Sequence, residues 1–80
     1  MEKDRRTFKP VRILVAGKYK TVHTVLGAGK MLLDEWPNET GPARHRAQMT
    51  VLDAMNEAKS PEEVRSALLI AASEAHLDYK

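Results

Sequence analysis

The segment from Trp36 to Pro42 constrains the fold of this chain more than any other, because its two prolines stop one helix and start another. Pro37 disfavours helical backbone angles at Trp36, so the first predicted helix ends there. Pro42 follows Gly41 and suits the first position of a helix, where the missing N–H costs nothing. The chain is therefore predicted to consist of a mixed N-terminal half and a helical C-terminal half.

A β-hairpin and one helix are predicted before this segment. Residues 9–16 alternate polar and apolar side chains as a half-buried strand does, and one face carries Val11, Ile13 and Val15. We expect residues 17–20 to form the turn, with Tyr19 at its tip, and residues 21–25 to form the return strand. From about residue 25 to 36 the spacing becomes helical, and the apolar stripe consists of Ala28, Met31, Leu32 and Trp36.

Two further helices are predicted after Gly41. The second helix covers about residues 42–58, with its apolar stripe at Ala43, Ala47, Val51, Ala54 and Ala58 and with Leu52 and Met55 alongside. A third covers about residues 61–76, because Ser60 and Glu63 match a capping box and Pro61 suits the first helical position. Its stripe consists of Val64, Ala67, Leu68, Ala71, Ala72 and Ala75.

These elements predict one small α+β domain over residues 1–80, in which the hairpin at about 9–25 packs on three α-helices in the order ββααα. Residues 1–7 are predicted to be a flexible tail. Leu, Val, Ile and Phe together provide only 17 of the 80 residues, whereas alanine provides ten. A chain of this size buries about 60% of its unfolded surface, so its stability is marginal and self-association or a partner protein would add to it.

The composition limits the compartment and the type of chemistry. The chain has no cysteine, which excludes disulfides, thiolate zinc sites and thiol nucleophiles. Its N-terminus lacks the apolar run of a signal peptide, and no segment approaches the roughly 20 apolar residues of a membrane span. We therefore expect a soluble cytoplasmic protein without a membrane partner.

The charge is unevenly distributed along the chain. Residues 1–30 carry eight basic and two acidic side chains, a charge of +6, and residues 31–80 carry five and nine, a charge of −4. This asymmetry is compatible with nucleic-acid binding, through a basic surface of Arg5, Arg6, Lys9, Arg12, Lys18, Tyr19 and Lys20. The alternative, which we favour, is a solvated tail and a hairpin edge kept soluble by lysine.

No catalytic, cofactor or metal-binding motif is complete in the sequence. The stretch Gly27–Lys30 lacks the other residues of a phosphate-binding loop, and flexibility at the start of a helix explains it better. The three histidines, at 23, 45 and 76, do not have the spacing of metal ligands. Glu62 and Glu63 are adjacent on a helix and point apart, so they do not form an acid–base pair. We therefore predict no enzyme activity and no cofactor.

The most unusual local feature is the basic run from Arg44 to Arg46, because cations in the first turn of a helix oppose its dipole. One hypothesis is an anion held by the free N–H groups of this turn, together with Arg44, His45, Arg46 and Thr40. The alternative is pairing of these cations with Glu35 or Glu39. Trp36 also has two interpretations, a core side chain or an exposed anchor for a partner, and its place on the apolar stripe favours the core.

The order and spacing of a set of residues along nearly the whole chain resemble a bacterial family known as domain of unknown function 982. These residues are Phe8, Pro10, Val11, Thr21, Val22, Trp36, Pro37, Gly41, Pro42, Ala47, Leu52, Asp53, Ala54, Glu63, Arg65, Ala67, Ala71, Ala72, Glu74 and Ala75. The resemblance implies a short stand-alone protein and no particular activity. The sequence departs from the family pattern where an acidic residue, cysteine, an aromatic residue and glycine are expected, at Gly27, Val51, Leu68 and His76.

Together these observations favour a small interaction or regulatory module without enzyme activity, whose partner is another protein or a second copy of the chain. The alternative is a nucleic-acid-binding protein that uses the basic N-terminal segment and the hairpin, although no recognition-helix motif supports it.

Overall fold

The computed structural model describes residues 6–37 and 41–80, and it has the predicted order of elements. A hairpin is followed by three packed helices, which confirms the α+β prediction. The elements are β1 (Thr7–Val15), β2 (Lys18–Thr24), α1 (Val25–Asp34), α2 (Pro42–Met55) and α3 (Pro61–Glu74).

The turn of the hairpin is shorter than the sequence predicted. Ala16 and Gly17 are its two central residues, with φ angles of 52° and 80°, and Val15 pairs with Lys18. Two positive φ angles are typical of the type I′ turn, which matches the twist of the flanking strands. Tyr19 therefore lies in β2 opposite Leu14, and not at the tip of the hairpin.

The start of the hairpin reaches into the segment predicted to be a tail. Thr7 pairs with Thr24, and the carbonyl of Arg6 accepts a hydrogen bond of 3.1 Å from the N–H of Val25. The first five residues lie outside the described residues. Pro10 lies where the pairing register shifts between Thr7 and Val11, a position that tolerates a residue without an N–H.

The C-terminal residues add a short third row to the sheet, which the sequence did not predict. The N–H of Leu14 donates to the carbonyl of Asp78 at 2.8 Å, and the N–H of Lys80 donates to the carbonyl of Arg12 at 2.8 Å. Tyr79 forms a bridge with Ile13. As a result, β1 lies between β2 and the C-terminal segment.

The core lies between the inner face of the hairpin and the three helices. The entire predicted stripe of α1 is buried, including Trp36 just beyond the end of the helix. Small side chains allow α2 and α3 to pack closely, because four of their seven buried residues are alanine. The buried residues are Ala47, Val51, Ala54, Val64, Leu68, Ala71 and Ala72.

Both α2 and α3 end in the same way, with a residue in the left-handed conformation. These residues are Glu57 and His76, with φ angles of 65° and 60°. After α3, the N–H groups of His76 and Leu77 donate back to the carbonyls of Ser73 and Ala72, which is the hydrogen-bond pattern of the Schellman motif. Because α2 ends at Met55 in this way, Ala58 lies beyond the helix and is exposed.

Helix α1 begins with a side-chain cap and lies close to α2. Thr24 Oγ1 accepts a hydrogen bond of 2.8 Å from the N–H of Gly27, which stabilises the first turn. A Cβ atom on Gly29 would lie 3.0 Å from Val51 Cγ1. Gly29 therefore serves close packing against α2, rather than the flexibility that the sequence suggested.

Candidate functional site

The N-terminus of α2 already holds an anion, and this anion belongs to the chain itself. The carboxylate of Glu74, at the end of α3, accepts hydrogen bonds from the N–H of Ala43 at 3.1 and 3.2 Å and from the N–H of Arg44 at 3.4 Å. A carboxylate at a helix N-terminus also interacts favourably with the helix dipole. In this structure, Glu74 takes the place that the sequence analysis assigned to a bound anion.

Gly41 makes room for this carboxylate. Its φ angle is 135°, and a Cβ atom there would overlap Glu74 Oε1. An L-residue would therefore be strained by its backbone angle and would displace the carboxylate. The sequence analysis missed this pairing, although Gly41 and Glu74 both belong to the residues that carry the family resemblance.

The residues of the basic run from Arg44 to Arg46 lie in different environments. Arg44 donates from Nε and Nη2 to the carbonyl of Leu32, at 3.2 and 2.9 Å, so its guanidinium binds the C-terminal end of α1, where a cation is favourable. His45 and Arg46 are exposed. Thr40 lies outside the described residues, as does Glu39.

The predicted basic surface is also dispersed. Arg6 donates to the carbonyl of Ala54, and to the carbonyl of Lys59 at 3.1 Å, beyond the end of α2. Lys20 forms an ion pair of 3.0 Å with Glu35. Arg5 lies outside the described residues, and the exposed side chains that remain from this prediction are Lys9, Arg12, Lys18 and Tyr19.

Two residues of the predicted basic surface, Arg12 and Tyr19, lie near the C-terminal Lys80 on the outer face of the sheet. The backbones of Arg12 and Lys80 form a hydrogen-bonded pair, so both side chains lie on the face opposite the core. Lys80 Nζ lies 4.5 Å from the centroid of the Tyr19 ring, a distance typical of a cation–π contact. A small basic and aromatic patch therefore forms here, although it includes a lysine that the sequence analysis did not consider.

An apolar groove of about 600 Å³ lies between α1 and α2. We call it the α1–α2 groove. Four large apolar side chains that are exposed to solvent line its walls, namely Leu26, Leu33, Met49 and Leu52. Its other lining residues are Gly29, Lys30, Asp34, His45, Gln48, Val51 and Met55.

The shape of the groove follows from the packing of the two helices. Arg44 at the start of α2 contacts Leu32 near the end of α1, and Val51 further along α2 lies next to Gly29 earlier in α1, so the helices run antiparallel. Gly29 has no side chain, so Val51 packs directly against its backbone, and both residues line the groove between the walls. Lys30, Asp34 and His45 add a few charged and polar atoms to a surface that is otherwise apolar.

The sequence analysis missed this groove because it assigned only one apolar stripe to each helix. The signal was a surplus of apolar residues in α1, where Leu26 and Leu33 fall outside the stripe that faces the core. Such a surplus is unusual on a solvent-facing helix surface, where polar residues are typical. Contiguous exposed apolar side chains indicate an interaction surface more than single ones do.

Two other classes of site have no counterpart in the described part of the chain. Within residues 6–37 and 41–80, no three side chains of His, Asp or Glu are grouped so that they could bind one metal ion. In the same residues, no helix has the length and apolar character needed to cross a bilayer.

A comparison with protein families identifies the chain's relatives. The family model described as "Protein of unknown function (DUF982)" matches residues 9–79, nearly the whole chain. The chain belongs to this family. No curated protein and no solved structure matches it. The family's description gives no activity.

Proposed function

We propose that this member of the family is a protein-interaction module without enzyme activity, and that its contact surface is the α1–α2 groove. The observation that carries the proposal is the concentration of exposed large apolar side chains on this one surface. Leu33 is 72% exposed and Leu52 is 53% exposed. Both line the groove, so a partner that fills it would remove them from water together.

The energetics favour a protein partner of moderate affinity. Burying the exposed part of one such side chain contributes on the order of 1 kcal/mol, so the four of them contribute about 4 kcal/mol. Association also carries a large entropic cost, and the remaining contacts have to offset it. We therefore expect dissociation constants on the order of micromolar or weaker.

The form of the groove favours a helix as the bound element. It lies between two antiparallel helices and is open to solvent, rather than enclosed as a small-molecule cavity is. A helix that presents apolar residues every three or four positions fits such a surface. Lys30 and Asp34, on the wall formed by α1, would then orient the partner by charge.

Site-specific photocrosslinking in cells tests this proposal. A photoreactive amino acid at position 33 should give covalent adducts with protein, and the same residue at position 70 should not. Ile70 is a suitable control because it is an exposed aliphatic residue of α3, 62% accessible to solvent, and lies outside the groove. The adducts should disappear when Leu52→Glu is added. Equal adducts at both positions would contradict the proposal.

Nucleic-acid binding is the second candidate, and the observation that favours it is the patch of Arg12, Tyr19 and Lys80. Basic side chains beside an aromatic ring can contact phosphates and stack on a base. If this candidate is correct, the affinity for a labelled oligonucleotide should fall steeply with salt. It should also fall with Tyr19→Ala. Binding that is independent of salt, measured by fluorescence anisotropy, would exclude it.

A further inference from the structure

We propose that the partner in the α1–α2 groove is the same groove of a second copy of this chain, related by a twofold axis with the two α1 helices antiparallel. This inference rests on the proposed function, because it identifies the protein that the groove binds. Four residues of α1 that line the groove determine this arrangement, namely Gly29, Lys30, Leu33 and Asp34.

The groove has both a projecting side chain and a depression, and both are apolar. Leu33 is 72% exposed, the highest exposure among the large apolar side chains of the described residues. Gly29 has no side chain and lines the depression of the groove. The two positions are four residues apart, which places them on the same helix face about 6 Å from each other along the axis.

A twofold contact brings each projection to the other copy's depression. When two α1 helices lie antiparallel with the axis level with residue 31, Leu33 of each copy lies opposite Gly29 of the other. Such a contact is isologous, because each copy supplies the same patch and the pair is made twice. The leucine then packs over the backbone of Gly29, which has no side chain to obstruct it.

The same register is favourable for the charges on this wall. Lys30 and Asp34 also lie four residues apart, on the same face of α1. In the antiparallel arrangement, Lys30 of one copy lies about 3 Å along the axis from Asp34 of the other, within reach of the lysine side chain. A surface with one charge of each sign is complementary to itself, and a partner with a single sign of charge would leave one of them opposed.

The size of the surface predicts a reversible dimer. Helices of 10 and 14 residues are about 15 and 21 Å long, and side by side they present a face about 20 Å wide. The area of such a face is small compared with the roughly 800 Å² that each partner buries in a standard stable complex. We therefore expect dissociation in the range of about 10–100 µM.

Sedimentation equilibrium of the purified chain from about 1 µM to 1 mM tests the inference. The average mass should rise from that of a monomer towards that of a dimer. Leu33→Glu should weaken association by at least tenfold, because it places a carboxylate in the apolar depression. The matched variant Ile70→Glu should leave association unchanged, and circular dichroism should show that both variants are folded.

A charge exchange tests the register itself. Lys30→Glu and Asp34→Lys should each weaken the dimer about three- to tenfold, because each creates two repulsive pairs. The double variant should recover to within about threefold of the original chain. Failure of the double variant to recover would overturn the antiparallel register.

The outcomes separate this inference from the proposed function. A chain that stays monomeric at 1 mM, or a dimer that Leu33→Glu does not weaken, overturns the second copy as the partner. In either case, adducts of a different protein at position 33 in cells would still support the groove as an interaction surface. A monomer together with the absence of adducts would overturn both.

Discussion

The N-terminus of α2 and the α1–α2 groove lie side by side, and they differ in how far the chain satisfies its own groups. At the N-terminus, the N–H groups of Ala43 and Arg44 bond to Glu74, and the guanidinium of Arg44 bonds to Leu32. In the groove, large apolar side chains remain in contact with water. The comparison shows that the chain's own groups occupy the start of α2, where the sequence analysis placed a bound anion, whereas the surface that stays open is apolar and matches no sequence motif.

Among the variants that test the difference between these two regions, Gly41→Ala should have the largest effect on stability, because it disrupts the contacts of Glu74 at the start of α2. A Cβ atom would collide with the Glu74 carboxylate, and the φ angle of 135° is strained for alanine. We expect a loss of about 3 kcal/mol in the free energy of unfolding, from backbone strain and the lost cap together. Urea denaturation measures it.

Gly17→Ala is the matched control for that prediction. Gly17 also has a positive φ angle, but nothing lies within 4 Å of a Cβ atom placed there. It should lose only about 1 kcal/mol, the cost of the backbone angle alone. Equal losses for the two variants would show that Glu74 contributes nothing to the need for glycine at position 41.

Glu74→Ala should remove the carboxylate that caps α2 while leaving Gly41 in place. Two N–H groups at the start of α2 lose their partner, so we expect a loss of about 1.5 kcal/mol by urea denaturation. The half-buried position of Glu74 keeps this value moderate. Glu62→Ala is a suitable control, because Glu62 is an exposed glutamate in the first turn of α3 and should cost only a few tenths of a kcal/mol.

Glu74→Ala also tests whether the start of α2 binds an external anion. In the original chain, phosphate has to compete with Glu74, so the amide resonances of Ala43 and Arg44 should hardly move at millimolar phosphate. In Glu74→Ala the N–H groups are free for an external anion, and both resonances should shift. Large shifts in the original chain would mean that the start of α2 is an open anion site after all.

The sequence predicted the elements of the fold because their signals are local. The cap at Ser60, the prolines and the apolar stripe of α1 each involve residues within one or two turns of each other. The type I′ turn at Ala16 and Gly17 was missed because the sequence does not carry the usual Asn-Gly signal, and alanine occupies a position with positive φ.

The sites depend on contacts between distant parts of the chain, which periodicity does not give. Glu74 lies about thirty residues from the amides that it caps, and Arg6 reaches the end of α2 across the fold. Which apolar residues of α1 stay exposed depends on where α2 and α3 pack. The groove could therefore be suspected from the surplus leucines, but its position needed the structure.

His76→Gly should stabilise the chain, a smaller effect of opposite sign. His76 follows α3 with a φ angle of 60°, the position of the Schellman motif that glycine prefers. This also explains why the family resemblance predicts glycine there. We expect a gain of about 0.5–1 kcal/mol, whereas His76→Ala should give none. Stabilisation by alanine as well would show that the imidazole, and not the backbone angle, is unfavourable.

Leu33→Ala should have the smallest effect on the isolated chain, and it tests whether the groove is open. Leu32 and Leu33 are neighbours in α1, but Leu32 is fully buried and Leu33 is 72% exposed. At about 1 µM, where the copies should be separate, Leu33→Ala should change the free energy of unfolding by less than about 0.5 kcal/mol. Leu32→Ala should cost about 2–5 kcal/mol. A large loss for Leu33→Ala at this concentration would mean that the chain itself covers this leucine, so that no apolar surface remains for a partner. A loss that develops only as the concentration rises would instead place Leu33 at the contact between two copies.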